Sequence, residues 1–264
     1  MVDQVSVELS LAGKVAIVTG GSRGIGAAIV QMFCSAGAHV LFNYQKARAQ
    51  AEAVVTGCNA GAEPPRCVAI QAELSGKAGA ETMVAAAMEN FGKVDVLVAN
   101  HGIWPPQDVP IDQMTEEQWS KTMSVNLDSV FHLLKLAVGE MKKQGHGGHI
   151  VIISSTAGQR GEALHCDYAA SKGAVISMVK GLSTELAPYG IYVNCVAPGW
   201  VATDMAAPAL ADPATSQRVL QSIPLRRPGT PEEIAAPVLF LCTAHAGFIT
   251  GEIFNVNGGA VLAG

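Results

Sequence analysis

Short runs of apolar, mostly β-branched residues recur along this chain, and longer segments with apolar residues at helical spacing separate them. The runs lie at 14–19, 38–42, 67–71, 94–98, 149–153, 191–196 and 252–256. The helical segments lie at about 24–36, 46–57, 77–91, 116–142, 168–187 and 231–243. Polar residues do not alternate with apolar ones inside the runs, so each strand is predicted to be buried on both faces. The pattern therefore predicts one doubly wound α/β domain over residues 1–264, with a central parallel sheet of about seven strands and helices on both faces.

The composition agrees with a large buried core and argues against several classes of protein. Apolar residues make up 49% of the chain and charged residues only 15%. The mean hydropathy is +0.29, yet no run of about 18 uncharged apolar residues is present, so no membrane-spanning segment is predicted. Residues 1–6 lack the basic start and apolar centre of a signal peptide. A net charge of -5 without basic clusters argues against a nucleic-acid partner.

The cysteines and histidines show no metal-binding pattern in the sequence. The six cysteines, at positions 34, 58, 67, 166, 195 and 242, are scattered and include no C-x-x-C pair. We therefore expect reduced thiols in a cytoplasmic protein, with neither a disulfide nor a metal site.

The start of the helix after the fifth strand contains an informative pair of side chains. Tyr168 and Lys172 are four residues apart, so on a helix they lie on the same face. A free tyrosine has a pKa near ~10, and an ammonium group one turn away favours the phenolate and lowers that pKa. Such a pair can donate a proton to a carbonyl oxygen or remove one from an alcohol. Ser155, at the end of the preceding strand, adds a hydroxyl group to this pair.

A glycine-rich loop joins the first strand to the first helix. Its sequence, Thr19-Gly-Gly-Ser-Arg-Gly-Ile-Gly26, has the spacing G-x-x-x-G-x-G. Glycines at such a junction permit a tight turn and let the backbone approach a pyrophosphate at the helix N-terminus. The loop therefore predicts cofactor binding at the end of the first strand.

Together with Asn126, Ser155 and Tyr168-Ala-Ala-Ser-Lys172, this loop closely resembles the short-chain dehydrogenase/reductase family in its compact form. The resemblance runs from about residue 12 to 259 and includes Asn100-His-Gly102, Pro198-Gly199 and Asn257-Gly-Gly259. Within the family, the chain is most similar to 3-oxoacyl-carrier-protein reductases and NADP-dependent carbonyl reductases. The resemblance implies a Rossmann-type fold and a nicotinamide cofactor.

The resemblance also implies a role for each of four catalytic candidates. Tyr168 is expected to be the general acid/base, and Lys172 to lower the pKa of Tyr168 and to hold the nicotinamide ribose. Ser155 is expected to hydrogen-bond the substrate oxygen on which charge develops, although a serine at a strand end often only caps a turn. Asn126, inside the long helix, is expected to hold a water molecule of the proton relay.

The cofactor site implied by the resemblance draws on the ends of several strands. Its predicted residues are Gly20, Ser22, Arg23, Gly24, Ile25, Gly26, Asn43, Tyr44, Glu73, Leu74, Asn100, Gly102, Tyr168, Lys172, Pro198, Gly199, Val201 and Thr203. Glu73 stands where the family usually has Asp, and His101 stands where it usually has a small residue. His165 and Cys166 are candidates for the pocket wall. Residues from about 203 to 227 correspond to the family's mobile substrate lid, and residues 1–11 form an N-terminal extension.

The end of the second strand predicts a preference for NADP(H) over NAD(H). An NAD-selective site places a carboxylate there to bind the ribose 2′-hydroxyl, and this chain has no acid between residues 38 and 51. Arg23 in the glycine loop adds a planar cation suited to a 2′-phosphate. Asn43 and Tyr44 are expected to add polar contacts, and Lys46 and Arg48 are further candidates.

These features predict an NADP(H)-dependent oxidoreductase that transfers a hydride between the nicotinamide and a ketone or secondary alcohol. Two alternatives stay open: a 3-oxoacyl-carrier-protein reductase of fatty-acid synthesis, and a non-catalytic NADP-binding protein. A sugar-nucleotide epimerase or dehydratase is a further alternative, but such chains usually have a larger substrate portion.

Two more expectations concern partners. Family members that act on carrier-protein thioesters tend to present basic residues just ahead of the fifth and sixth strands, where this chain has Gln144-Gly-His146 and Tyr189. We therefore expect small free ketones to be reduced at least as well as carrier-linked ones. The helices at 116–142 and 168–187 carry more apolar and small residues than one buried face requires, which predicts a homotetramer.

Overall fold

Seven parallel strands form the central sheet. The computed structural model describes residues 8–262, and its strands are β1 (Val15–Val18), β2 (His39–Tyr44), β3 (Cys67–Gln71), β4 (Val96–Ala99), β5 (Gly148–Ile153), β6 (Ile191–Pro198) and β7 (Ile253–Val256). Their order is β3-β2-β1-β4-β5-β6-β7, and every neighbouring pair is parallel. The predicted doubly wound α/β fold is therefore confirmed.

The helices connect these strands and agree with the predicted segments in most places. They are α1 (Gly24–Ser35), α2 (Arg48–Asn59), α3 (Lys77–Phe91), α4 (Glu116–Met123), α5 (Ser129–Gln144), α6 (Thr156–Arg160), α7 (Cys166–Leu186), α8 (Ala207–Ala211), α9 (Pro213–Ser222) and α10 (Pro231–Leu241). Short 3-10 turns lie at Ile111–Gln113, Ala187–Tyr189 and Ala244–Ala246. The sequence patterns did not indicate the short helices α6, α8 and α9.

The long helix predicted over 116–142 is interrupted in its middle. Its predicted start is right, since the Thr115 side chain caps α4 by accepting a hydrogen bond from the Gln118 N–H at 3.1 Å. After α4, however, the π-helical segment Ser124–Asp128 precedes α5. A π-helical turn inserts one extra residue into the hydrogen-bond ladder and is frequent at functional sites. Here it contains Asn126.

Apolar side chains form one buried layer on each face of the sheet. Ala16 and Val18 of β1 contribute to the layer that includes residues of α1, α2 and α10. Ile17, between them, contributes to the layer that includes residues of α3, α5 and α7. Successive strand residues point to opposite faces, so burial of both faces explains why the strand sequences are continuously apolar.

The carboxyl ends of β1 and β4 lie next to each other where the winding of the sheet changes direction. The helix after β1 packs in one layer and the helices after β4 pack in the other. The connecting loops therefore diverge and leave a crevice between them, which is where open α/β sheets bind ligands.

The structure describes the whole of the predicted lid, 203–227, and part of the predicted N-terminal extension, 1–11. The segment 203–227 contains α8 and α9, and the Asp212 carboxylate caps α9 by accepting from the Thr215 N–H at 2.8 Å. Residues 1–7 of the extension lie outside the described residues, whereas Leu11 is buried in the core and its N–H donates to the Ala36 carbonyl at 2.8 Å. Across residues 8–262, the helices are too short or too polar to cross a membrane.

Candidate active site

A cavity of about 690 Å³ follows the carboxyl edge of the sheet. It extends from Tyr44, the last residue of β2, and Lys46 past the glycine loop to Trp104 and Trp200. Every residue predicted for the cofactor site lines this cavity. Of the four catalytic candidates, Ser155, Tyr168 and Lys172 line it, whereas Asn126 does not.

The glycine loop has a backbone conformation that residues other than glycine rarely adopt. Gly20 and Gly24 have φ values of 68° and 53°, in the left-handed region that costs glycine little. A Cβ atom on Gly26 would collide with the Gly20 carbonyl oxygen, and one on Gly21 would lie 2.6 Å from the Phe42 Cβ. The loop therefore folds closely onto the start of α1 and onto β2.

Two asparagine side chains fix this loop to the sheet. Asn43 Oδ1 accepts from the Gly20 N–H at 2.8 Å, and its Nδ2 donates to the Ala72 carbonyl at 2.9 Å. Asn100 Nδ2 donates to the Thr19 carbonyl at 2.9 Å. We predicted polar contacts from Asn43 to the cofactor phosphate. Its amide is buried and already makes one backbone hydrogen bond through each of its two polar atoms, and a further contact with the cofactor stays a prediction.

The N-terminus of α1 offers unpaired N–H groups to the cavity. Its N-cap residue, Arg23, makes no capping side-chain hydrogen bond, and the first turn contains no acid. Gly24, Ile25 and Gly26 of this turn all line the cavity. Uncapped N–H groups and the helix dipole favour an anion at this position. The donor chemistry of the loop therefore fits the pyrophosphate of a dinucleotide.

Arg23 lies at the rim of the cavity beside an acid that the sequence did not lead us to expect. Its Nη1 is 3.4 Å from Asp204 Oδ2, and the two side chains are 64% and 73% exposed. An ion pair this exposed contributes little, so the guanidinium can exchange it for a phosphate. Lys46 also lines the cavity, whereas Arg48 binds Glu52 at 2.8 Å and lies outside the lining. Arg23 and Lys46 are thus the cations available near the end of β2.

Ser155 and Tyr168 both line the cavity, and the Ser155 hydroxyl lies close enough to the phenol to affect its pKa. Ser155 also caps α6 by accepting from the Ala157 N–H at 3.1 Å, so the turn-capping interpretation and the proximity to Tyr168 both hold. Burial raises the pKa of Tyr168 to about 12, and the Ser155 hydroxyl opposes this rise. The Ser155 hydroxyl thus lowers this pKa, and the expected lowering by Lys172 stays a prediction.

Lys172 lies beneath the tyrosine in a buried position. Its Nζ donates to the Ile153 carbonyl at 2.9 Å and lies 5.9 Å from the centre of the Tyr168 ring. Burial lowers the pKa of Lys172 to about 8, so the charge of this side chain can change near neutral pH. Ser154 Oγ donates to the Lys172 carbonyl at 2.8 Å. Ser154 therefore holds α7 against β5, while Ser155 contacts Tyr168.

Asn126 lies behind the cavity wall and is only 1% exposed. Its Nδ2 donates to the Ile103 carbonyl at 2.9 Å and its Oδ1 accepts from the Ile103 N–H at 2.8 Å. Nδ2 also lies 3.1 Å from Ser171 Oγ. The amide thus fastens the loop after β4 to α7, and its role in holding a water molecule stays a prediction.

His101 connects the end of β1 to the start of α5. Its Nδ1 lies 2.7 Å from Thr19 Oγ1, and its Nε2 lies 2.7 Å from Ser129 Oγ. Because the Ser129 hydroxyl donates to the Val125 carbonyl at 2.7 Å, it accepts from Nε2–H, which assigns the proton to Nε2. Burial, assisted by the positive charge of Lys172, lowers the pKa of His101 to about 3. A neutral imidazole therefore bridges the crevice where the family usually has a small residue.

Two tryptophans and a glutamate form the cavity wall beyond the catalytic candidates. The Trp104 ring meets the Trp200 ring edge-on, with centres 6.1 Å apart. Trp104 Nε1 donates to Glu162 Oε1 at 3.3 Å, and burial raises the pKa of Glu162. Our sequence reading missed these three residues. Trp104 and Trp200 could have been found, because each follows a matched motif at a strand end.

His165 and Cys166 do not line the cavity, so the interpretation of both as wall residues is wrong. The His165 ring stacks behind Trp104 with the ring centres 4.7 Å apart, and its Nε2 lies 2.9 Å from the Pro105 carbonyl oxygen. The Cys166 thiol lies 3.9 Å from the Met114 sulfur. Both side chains support the wall from the protein side.

The two loops considered for carrier docking lie at the opposite edge of the sheet. Residues 144–146 precede β5 and Tyr189 precedes β6, so both loops lie at the amino ends of the strands. Lys142 Nζ lies 4.1 Å from the centre of the Tyr189 ring, and Lys143 is paired with Glu140 at 2.7 Å. These loops do not border the cavity of the same chain. Their composition therefore says little about what enters it.

Comparisons with known proteins agree with this geometry. The family profile described as enoyl-(acyl carrier protein) reductase matches residues 20–261. The 3-oxoacyl-[acyl-carrier-protein] reductase of Synechocystis is 38% identical over 255 residues, which cover 96% of this chain and 99% of that protein. The L-rhamnose 1-dehydrogenase (NAD(P)(+)) of Azotobacter vinelandii is 36% identical over 250 residues, covering 94% and 97% of the two chains.

A solved structure shows the same fold over the full length. The crystal structure of a short-chain dehydrogenase/reductase, glucose/ribitol dehydrogenase, from Brucella melitensis superposes with a TM-score of 0.87 at 36% identity. The match covers 97% of this chain and 100% of that one. With a matching family profile, full-length relatives and the glycine loop, serine, tyrosine and lysine along one cavity, the chain belongs to the short-chain dehydrogenase/reductase family of oxidoreductases.

Proposed function

We propose that the protein is an NADP(H)-dependent oxidoreductase that interconverts a ketone and a secondary alcohol. The observation that carries the proposal is the placement of the Ser155 and Tyr168 hydroxyls on one cavity wall, with the buried ammonium of Lys172 beneath the tyrosine ring. Two hydroxyl groups placed in this way can both reach one substrate oxygen. A phenol whose pKa is raised to about 12 is fully protonated at neutral pH and can donate its proton during reduction.

The bound nicotinamide would supply the hydride for reduction and accept it in the reverse reaction. The N-terminus of α1 would hold the pyrophosphate, and Arg23 with Lys46 would hold the 2′-phosphate. Ser155 would donate a hydrogen bond to the substrate oxygen while Tyr168 transfers its proton to that oxygen. Lys172 would orient the ribose, and its own charge beside Tyr168 could change near neutral pH.

The test is NADPH oxidation by the purified protein against a panel of ketones, β-ketoesters, quinones, sugars and steroids. We expect turnover with at least one small free ketone and a lower KM for NADPH than for NADH. An absence of turnover with every member of the panel, in protein that binds NADPH, would instead support a non-catalytic cofactor-binding protein. Against that alternative, Ser155, Tyr168 and Lys172 are all present and adjacent.

A second candidate is 3-oxoacyl-carrier-protein reduction, the activity after which several relatives are named. It uses the same residues and differs only in the substrate that enters beside Trp104 and Trp200. A comparison of kcat/KM for a 3-oxoacyl carrier protein and for the matching free β-ketoester separates the two. Reduction of the free ester at least as well as the carrier-linked substrate would favour the first candidate, and a strong preference for the carrier-linked substrate would decide for the second.

We also propose a cytoplasmic location. All six cysteines are free thiols in the structure, as expected in a reducing compartment. Fractionation of cells that express the protein at its natural level would test this location.

A further inference from the structure

Three cysteines that are scattered in the sequence meet at one corner of the fold. Cys34 lies near the end of α1, Cys58 near the end of α2, and Cys67 begins β3. Their sulfur atoms all lie within 4.8 Å of one another. Cys34 and Cys67 are buried, at 5% and 1% exposure, whereas Cys58 is partly exposed. The cluster therefore has two inner thiols and one that solvent can reach.

The sulfur positions suit a shared metal ion. Zinc–sulfur bonds of about 2.3 Å at tetrahedral angles place the sulfurs roughly 3.8 Å apart, so the three atoms need to close by at most about 1 Å. Thiolates are soft ligands that select thiophilic ions such as Zn²⁺ and Cu⁺. Because Cys58 is partly exposed, solvent can supply a water molecule as the fourth ligand of a tetrahedral ion.

The charge around the cluster favours a divalent ion. Three thiolates and one Zn²⁺ leave a single net negative charge, and the guanidinium of Arg66 lies next to the cluster, with its Nη1 3.4 Å from the Cys34 carbonyl oxygen. The backbone at Cys67 is also fixed before any ion binds, because Asn59 Oδ1 accepts from the Arg66 and Cys67 N–H groups at 2.9 Å each. The ligand Cys67 is thus held in place by hydrogen bonds that do not depend on the ion.

We propose that Cys34, Cys58 and Cys67 form a binding site for one thiophilic d10 metal ion of the Zn²⁺ type. The site lies near the amino ends of β2 and β3, at the opposite edge of the sheet from the cavity. It is therefore a structural site that ties α1, α2 and β3 together, and it stands independently of the reaction proposed above. The ligands come from three separate elements, so the ion binds the folded chain and stabilises it.

The experiment uses the reduced, metal-free full-length protein and Cd²⁺ or Zn²⁺ as the only added ligand. Cd²⁺ should bind at one ion per chain and produce the ultraviolet charge-transfer absorption of a metal thiolate. Saturating Zn²⁺ should raise Tm by several degrees, on the order of 5 °C for a chain of this size. Cys58→Ser, the least buried change, should weaken Cd²⁺ binding at least ~100-fold and remove the Zn²⁺-dependent rise in Tm.

Cys166→Ser is the matched control, because Cys166 is also partly exposed but lies outside the cluster. It should bind Cd²⁺ with the stoichiometry and absorption of the parent protein. If Cys58→Ser fails to fold, Cys67→Ala and the stoichiometry of the parent protein carry the test. The proposal is overturned if the parent protein shows no thiolate absorption at one equivalent of Cd²⁺, or if Cys58→Ser binds the ion as tightly as the parent.

Discussion

Among single residues, Tyr168 has the role that a minimal change tests most directly. Tyr168→Phe removes one oxygen atom and leaves the ring that packs above Lys172, so the fold and cofactor binding should persist. The loss of the proton donor should lower kcat by at least ~10²-fold. Tyr192→Phe is the control, since Tyr192 stacks on His149 away from the cavity. Near-parental turnover of Tyr168→Phe in steady-state NADPH oxidation would remove Tyr168 from the mechanism.

Arg23 tests the cofactor preference. A charge-assisted hydrogen bond is worth roughly 1.5–3 kcal/mol, so Arg23→Ala should weaken NADPH binding about ten- to a hundredfold. NADH binding should barely change, because NADH lacks the 2′-phosphate. Asp204→Asn removes only the exposed carboxylate paired with Arg23, and it should leave NADPH binding unchanged or tighter. Calorimetric titration with both nucleotides measures this, and an equal loss of affinity for NADPH and NADH in Arg23→Ala would contradict the assignment.

His101 makes stability depend on pH in a defined window. Its pKa is lowered from 6.5 to about 3 in the folded protein, so below pH 6.5 the unfolded chain binds a proton that the folded chain does not. Stability from this group is therefore present above pH 6.5 and falls with decreasing pH down to about 3. Between pH 7 and 5 the loss should be about 2 kcal/mol.

Urea unfolding at several pH values checks this dependence on His101. His101→Ala should be less stable at pH 7, because it removes the hydrogen bonds of the ring to Thr19 and Ser129, but its stability should fall less steeply towards pH 5. His132→Ala, on α5, is the control and should keep the slope of the parent protein. Parallel curves for His101→Ala and the parent would contradict the argument.

Whole elements were predictable where burial alone decides them, and less so where local hydrogen bonds do. The continuous apolar strands and the span of α3 could be read from the sequence, because both follow from which positions are buried. The π-helical segment could not, since its extra residue is stabilised by the bonds of Asn126 to Ile103, which is distant in sequence. The helices α8 and α9 contain prolines and few buried residues, so no apolar stripe revealed them.

In the candidate site, too, some features could be predicted from the sequence and others could not. The positions of Ser155, Tyr168 and Lys172 followed from motif spacing, because spacing fixes which residues meet at a strand end and on one helix face. Their electrostatics did not follow, since the pKa of Tyr168 is raised by burial and lowered by the nearby Ser155 hydroxyl, and neither effect can be read from spacing. The hydrogen bonds of Asn43 to Gly20 and Ala72 could not be predicted either, because they depend on which loops pack together.

The junction between the glycine loop and α1 gives a prediction about one element boundary. Gly26→Ala would place a methyl group against the Gly20 carbonyl and within 2.7 Å of Asn100 Nδ2. The loop must shift to admit it, so NADPH affinity should fall at least ~10-fold and Tm should drop. Gly57→Ala, in α2, meets no atom within 4 Å and should leave Tm unchanged or raise it. If Gly26→Ala and Gly57→Ala had the same NADPH affinity and the same Tm, the close packing of the loop would not determine either quantity.

For the molecule as a whole, exposed aromatic side chains on α4 and α5 agree with the predicted assembly. Trp119 of α4 is 40% exposed and Phe131 of α5 is 50% exposed, and large exposed apolar side chains are a feature of surfaces that contact a partner. We expect a homotetramer in which these helices pair between copies. Light scattering at micromolar concentration should give the mass of four chains.

One substitution on this surface separates assembly from folding. Phe131→Glu should dissociate the tetramer while the far-ultraviolet circular dichroism stays that of the parent. Thr82→Glu, on an exposed position of α3, adds the same charge elsewhere and should stay tetrameric. A parent protein that is monomeric by light scattering would refute the assembly.

The hydrogen bonds of Asn43 also bear on how coenzyme preference can change during evolution or engineering. An aspartate at position 43 could still accept from the Gly20 N–H, but it could not donate to the Ala72 carbonyl and would face that oxygen with a negative charge. The first acid on a route towards NADH use would therefore damage the joint between β1, β2 and β3. Tyr44, at the end of β2 and on the cavity wall, is the position from which such a route can start without that loss.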